Sequence, residues 1–252
     1  MVDEKLVNYT DFKKTFLKKG YFICNNVFNK KFIKKILQDI DNAKNTIKYL
    51  DNNNNLRRVE KLYDKGIHLK ELNKKISILL NKIFKKKFLI FKDKFNAKPP
   101  GGEGFFAHFD GIFNFTNEKN QKKRGWYEYG DFFINALVAL DECNKKNGSI
   151  EISNVQKGSF SHLIKKTKND GTPALKRDVE KKLSFDLIHL NIGDVVIFSH
   201  KCPHRSKTNK TNQNRRILYY TYSPLNNGSK YKQYFKDKEN SKNKSKALVE
   251  KK

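Results

Sequence analysis

Apolar residues recur at helical spacing in the first third of the chain and at alternating spacing in the rest. Phe32, Ile33, Ile36, Leu37 and Ile40 share one stripe of a 3.6-residue repeat, with Asn29 or Asn26 as a candidate cap. A shorter helix, Phe12 to Lys19, is predicted between Thr10 as cap and Gly20 as stop, just before the apolar strand Tyr21-Phe22-Ile23-Cys24. A third stripe, Leu72, Ile76, Leu79, Leu80 and Ile83, predicts a helix over about 71–85. Such one-sided helices are expected to pack against the outside of a sheet.

From Phe88 onward the period changes. Segments 88–95, 104–109, 132–140, 149–152, 185–190, 194–198 and 215–222 are rich in β-branched and aromatic residues, with Gly and Asn turns between them. This pattern predicts a mainly β protein with flanking helices, its core a double-stranded β-helix (a cupin-like jelly roll) with a pocket between two sheets. One domain is expected over 1–238, with a helical part at 10–85 and the jelly-roll core at 86–224. Segment 239–252, rich in Lys, Asn and Ser, has little apolar surface to bury and is expected to be a basic, disordered tail. The polar stretches 116–125 and 165–182 read as loops, the first either a lid over a pocket or a solvated loop.

A length of 252 residues suits one sizeable domain. The formal net charge of +28 would suit nucleic acid, anionic lipid or small anions as partners. Lys and Asn are enriched throughout, however, as in Asp51-Asn52-Asn53-Asn54-Asn55 and Lys85-Lys86-Lys87. Diffuse enrichment reads as compositional, so nucleic acid is not the expected partner. Zinc-finger spacing, a Walker loop and an RNA-binding aromatic signature are all missing from the sequence. Cys24, Cys143 and Cys202 are odd in number and scattered, which argues against a disulfide framework and for a reducing compartment. Residues 1–5 lack signal-peptide character and no apolar run is long enough for a bilayer, so a cytoplasmic protein without membrane association is expected.

The chemistry concentrates at two places. His108 and Asp110, in Phe106-Ala107-His108-Phe109-Asp110, lie two apart, so in an extended segment both point to one side. His204 follows a buried strand (194–198) and a turn through Ser199-His200-Lys201-Cys202-Pro203. Two imidazoles and one carboxylate on one face of a metal form the facial triad of non-haem Fe(II) oxygenases, with positions left open for a co-substrate and oxygen. Arg215 and Arg216 then open an apolar strand, and only one of them can face inward. A guanidinium fork there suits a bidentate carboxylate, such as the distal carboxylate of 2-oxoglutarate.

These residues, in order, resemble the phytanoyl-CoA dioxygenase family of Fe(II)/2-oxoglutarate-dependent oxygenases from about residue 10 to about 238. The segments that carry the likeness are Asn96-Ala97-Lys98-Pro99-Pro100-Gly101-Gly102, Ala139-Leu140-Asp141-Glu142, Asn147-Gly148-Ser149-Ile150-Glu151, Gly193-Asp194, Pro203-His204-Arg205-Ser206, Arg215-Arg216 and Tyr231-Lys232-Gln233-Tyr234-Phe235-Lys236-Asp237-Lys238. The resemblance implies Fe(II) on His108, Asp110 and His204, with 2-oxoglutarate anchored by Arg215. Ser206 and Trp126 fall where the family places co-substrate contacts, although Ser206 could instead cap a turn and Trp126 could be a core or lid aromatic. Lys98 shares a strand face with Asn96 and is a further candidate for the pocket; the competing expectation for it is surface exposure. His200 is expected on the solvent side of its turn or behind the metal site, and His68, His162 and His189 are expected to be structural. The activity implied is hydroxylation of a small polar or anionic metabolite by molecular oxygen, releasing succinate and carbon dioxide. The retained Asp110 favours hydroxylation over halogenation, since related halogenases replace this carboxylate. The alternatives are an oxygenase acting on nucleic acid and a jelly-roll binding protein with a vestigial metal site.

Overall fold

The computed structural model of the protein describes residues 9–51, 53–117, 119–165 and 172–242. In chain order the elements are α1 (Tyr9–Lys19), β1 (Tyr21–Cys24), α2 (Lys30–Asn42), β2 (Ile47–Leu50), β3 (Leu56–Glu60), α3 (Ile67–Phe84), β4 (Phe88–Lys98), β5 (Phe105–His108), β6 (Asn114–Thr116) and β7 (Lys122–Arg124). They continue with β8 (Ile134–Ala139), β9 (Ile150–Ser153), α4 (Arg177–Lys182), β10 (Phe185–Leu187), β11 (Val195–Ser199), β12 (His204–Ser206), β13 (Arg215–Pro224) and α5 (Tyr231–Lys242).

Seven strands form one sheet in the order β1-β11-β8-β13-β4-β3-β2, and four form a second in the order β10-β9-β12-β5. All the pairings are antiparallel. The two sheets make the expected jelly roll. Alternation along each strand sorts side chains between two cores. Ala136, Val138, Val195, Ile197, Leu218, Tyr220 and Tyr222 share one core with Ile33, Ile36, Leu69, Leu72, Ile76 and Leu80 from α2 and α3. Their strand neighbours Leu137, Ala139, Val196, Phe198, Ile217 and Tyr219 share the other with Ile150 and Ile152 of the small sheet. A one-residue slip would exchange the two sets, so the register is strongly specified. The helical stripes are thus core faces, as predicted. Asn29 is the cap of α2, its side chain accepting from Phe32 N at 2.8 Å.

Four regions differ from the sequence expectation. The asparagine-rich run is the turn of a hairpin, β2–β3. Asp51 organises it by accepting from Asn53 N at 3.0 Å and Asn55 N at 2.9 Å. The stretch 116–125 contains a second hairpin, β6–β7, whose partner strand Lys122–Arg124 is wholly charged and has no apolar alternation to announce it. In the stretch 165–182, residues 166–171 lie outside the described residues, and 177–182 form the short helix α4. The C-terminal helix α5 continues to Lys242, into the segment expected to be disordered, and residues 243–252 lie outside the described residues. All three cysteines are buried and free. No described helix is long and apolar enough to cross a membrane.

Candidate metal centre and its cavity

Strand register brings His108 and His204 together. β12 runs antiparallel to β5 with His204 directly opposite His108, and the two ring centroids lie 4.3 Å apart. Asp110 follows β5 in the turn made by Gly111, whose φ of +80° favours glycine and where a Cβ would run into the Trp126 ring. A donor atom from each of His108, Asp110 and His204 lies within 4.8 Å of the others, and all three residues are buried.

Hydrogen bonds set the chemical state of these groups. His108 Nδ1 lies 2.9 Å from the Phe106 carbonyl and His204 Nδ1 lies 3.1 Å from the Cys202 carbonyl. A nitrogen facing a carbonyl carries the proton, which leaves each Nε2 lone pair free for a metal. Burial pushes His108 down to about 3 and also lowers His204, so both rings are neutral at pH 7. Burial alone would raise Asp110, but His204, Lys94, His108 and Lys92 outweigh it and hold the carboxyl below the usual carboxylate range. Asp110 Oδ2 accepts from Asn135 Nδ2 at 2.8 Å, and Asn135 Oδ1 accepts from Thr221 Oγ1 at 2.7 Å. Two neutral imidazoles and an oriented carboxylate are the donor set a divalent iron takes.

The triad opens into a cavity of about 800 Å³. On one side stands Arg215, 4% exposed, its Nε buried without a hydrogen-bond partner. Cross-strand pairing sets it against Lys98, whose Nζ donates to Ser206 Oγ at 2.9 Å, to the Gly148 carbonyl at 3.1 Å and to the Lys207 carbonyl. Ser206 lies two residues beyond His204 on the same strand. Burial, then the charges of Arg215 and Arg57, push Lys98 down to about 6. A buried guanidinium, the Lys98 amine and a hydroxyl therefore meet on one side of the cavity, an arrangement that suits a bound carboxylate, whose charge would favour the protonated amine.

Arg216 points the other way. It grips Asp141 bidentately (Nε–Oδ2 and Nη2–Oδ1, both 2.8 Å), which settles which arginine faces the cavity. Lys98, with surface exposure as one expectation, is only 4% exposed, because β4 turns its alternate residues inward. His200 is not on the solvent side: it is 1% exposed, its Nδ1 near the backbone N and O of Phe133. Trp126 is a core aromatic, packing edge-on against Phe91 and Phe133, and it also lines the cavity. His68 pairs with Asp39 at 3.1 Å, a structural role.

Sequence reasoning missed Asn135 and the cavity residues Arg58, Lys92 and Lys94. A signal for the lysines exists: Lys92, Lys94, Asn96 and Lys98 alternate along one strand face. For Asn135 the signal is a lone amide within an otherwise apolar strand.

The fold is shared with solved structures of low sequence identity. EctD from S. alaskensis in its apoform superposes with a TM-score of 0.65 at 14% identity, covering 90% of this chain and 80% of that one. SnoN, a non-heme alpha-ketoglutarate-dependent epimerase from nogalamycin biosynthesis, superposes with a TM-score of 0.62 at 14% identity, covering 84% and 81%. In sequence, the chain is similar to a 2-aminoethylphosphonate dioxygenase from an uncultured bacterium (HF130_AEPn_1), 30% identical over 186 residues, 73% of this chain and 64% of that protein. It is also similar to a methylphosphonate hydroxylase from Gimesia maris, 29% identical over 154 residues, 61% of this chain and 52% of that protein. The chain therefore spans about half to two thirds of these relatives' lengths. The sequence profile of the phytanoyl-CoA dioxygenase family matches residues 16–217, which takes in the triad and Arg215, and the chain belongs to that family.

Proposed function

We propose that this chain is an Fe(II)- and 2-oxoglutarate-dependent oxygenase that hydroxylates a small anionic metabolite. The observation that carries this is the buried His108–Asp110–His204 cluster opening into the same cavity as the Arg215–Lys98–Ser206 cradle. His108 and His204 would hold iron through Nε2, and Asp110 through its carboxylate. Arg215 and Lys98 would take the distal carboxylate of 2-oxoglutarate, with Ser206 beside them. When bound, the iron and co-substrate supply oxygen activation: one atom of O₂ enters a substrate C–H bond as hydroxyl and the other enters succinate, with release of carbon dioxide.

The chain's own residues prepare that chemistry. The two carbonyl-bound imidazoles and the Asn135-held carboxylate keep three donors oriented towards one point. Phe105 and Phe106 pack against His108 and shield one flank of the site. A small anion is the preferred substrate class because three of the cavity's cations are buried, with Lys92 9%, Lys98 4% and Arg215 4% exposed. A nucleic-acid strand would call for an open basic groove instead. The relatives named for phosphonate substrates point the same way.

Succinate release tests the proposal. The iron-loaded chain, given 2-oxoglutarate, oxygen and a panel of small phosphonates, phosphate esters and carboxylates, is expected to form succinate in step with one substrate class. A panel that never raises succinate above the substrate-free rate, with iron and 2-oxoglutarate both bound, would favour the vestigial binding protein.

A further inference from the structure

Beyond the triad and the 2-oxoglutarate cradle, the cavity holds a second group of cations on β3 and β4. Lys92 and Lys94 alternate with Asp93, so they face the cavity while Asp93 faces the opposite side of the sheet. Arg58 pairs across the strands with Asn96, which places it diagonal to Lys94. Among the described residues, Lys92 and Lys94 make no hydrogen bond or ion pair with an acceptor. Arg58 Nε is buried without a partner, and the Arg58 guanidinium reaches Glu60 only at 3.8 Å. Glu60, fully buried, is itself paired with Lys238 from α5. Glu60 thus balances one of four cations: Arg58, Lys92, Lys94 and Lys238. Asp110 is committed to the metal and Arg215 with Lys98 to the co-substrate. Burial lowers Lys92 and Lys94, the latter to about 7, and a dianion seated between them and Arg58 would restore their charged forms.

The same walls are hostile to a positive group. Lys94 Nζ sits 4.4 Å from the Tyr219 ring centroid. Lys92 Nζ sits 5.4 Å from Trp126 and 5.6 Å from Tyr234, and the Arg58 guanidinium 5.6 Å from Tyr49. The four rings beside these cations, Tyr219, Trp126, Tyr234 and Tyr49, thus already carry the chain's own positive groups, which leaves none of these four for a substrate ammonium. Asp51 is occupied by Asn53, Asn55 and Arg57, and Glu103 is exposed.

Resting on the oxygenase function above, we propose that Arg58, Lys92 and Lys94 form a subsite for a tetrahedral dianion, and that the substrate is a small alkylphosphonate or alkyl phosphate carrying no ammonium group. The guanidinium supplies paired donors to two oxygens, and the lysines act as point charges on the third. Lys92, Lys94 and Arg58 line the same cavity as His108, Asp110 and His204, so a dianion held there would lie in one chamber with the metal.

The test is calorimetric titration of the full chain, metal-free and again as the anaerobic Fe(II)/2-oxoglutarate complex, with methylphosphonate, methyl phosphate and 2-aminoethylphosphonate. The expected result is that the two alkyl dianions bind at least about tenfold tighter than the aminophosphonate, in both states. Their relative affinity identifies which of the two sources fits better. Arg58→Gln and Lys94→Gln should each weaken dianion binding by about tenfold or more, leave 2-oxoglutarate affinity unchanged, and leave the anion-free thermal midpoint level or higher. Lys94→Arg should retain binding. An aminophosphonate bound as tightly as methylphosphonate, or variants that leave dianion affinity intact, would overturn the inference. Loss of 2-oxoglutarate binding in the wild type, with dianion binding retained in the metal-free chain, would sink the oxygenase function and leave the subsite standing.

Discussion

Asp110→Ala is expected to lower iron affinity by more than about a hundredfold and to abolish substrate-dependent succinate formation, with the fold intact. Asp110 is the only carboxylate of the three-residue cluster, and it is buried. Without it, two neutral imidazoles would face a divalent cation with no negative charge to offset its desolvation. Asn135→Ala gives a graded version of the same loss. It removes the 2.8 Å hydrogen bond that orients the carboxylate, and groups placed like this contribute about 10–100-fold in metal affinity. Iron binding by equilibrium dialysis, with circular dichroism as the folding control, checks both variants. Equal iron affinity in Asp110→Ala and wild type would remove Asp110 from the metal site.

The second large effect is on stability. Asp93→Ala is expected to destabilise the chain by about 3 kcal/mol or more, because it strands several buried donors at once. Asp93 is fully buried and accepts from Lys61 N (2.8 Å), Leu62 N (2.9 Å), Tyr63 N (2.6 Å) and the Tyr231 hydroxyl (2.9 Å). One carboxylate thereby ties β4 to the segment after β3 and to the start of α5. Because α5 also carries Tyr234 and Lys238 into the cavity, its loosening should weaken dianion binding as well as lower stability. Asp93→Asn keeps one acceptor oxygen and should cost less. Urea unfolding of the three proteins measures the order wild type, Asp93→Asn, Asp93→Ala; an unchanged midpoint in Asp93→Ala would refute the role.

What was legible in the sequence was what is written locally. The period-3.6 stripes of α2 and α3 and the apolar strands β8, β11 and β13 each advertise their buried face within a dozen or so residues. The triad was legible because His108 and Asp110 share a two-residue spacing and His204 follows a clear strand and turn. β2 and β3 were obscured because the asparagine run between them looks like composition, whereas Asp51 makes it a turn. β7 is all charged, so no apolar alternation announced it; its pairing with β6 defines it. The second cation group was invisible for a related reason. Lys92 and Lys94 read as surface lysines until β13 and β3 close on either side of β4 and turn that face inward. Burial of a charge is a property of the sheet, and one strand's sequence does not state it.

Anaerobic absorbance titration of the chain with Fe(II) and then 2-oxoglutarate tests the central claim most directly, with His108→Ala and Arg215→Ala beside the wild type. A visible metal-to-ligand charge-transfer band in the wild type is the predicted result, absent in His108→Ala and requiring much higher 2-oxoglutarate in Arg215→Ala. A folded, iron-supplied wild type that develops no band would contradict the assignment of the triad and cradle to iron and 2-oxoglutarate.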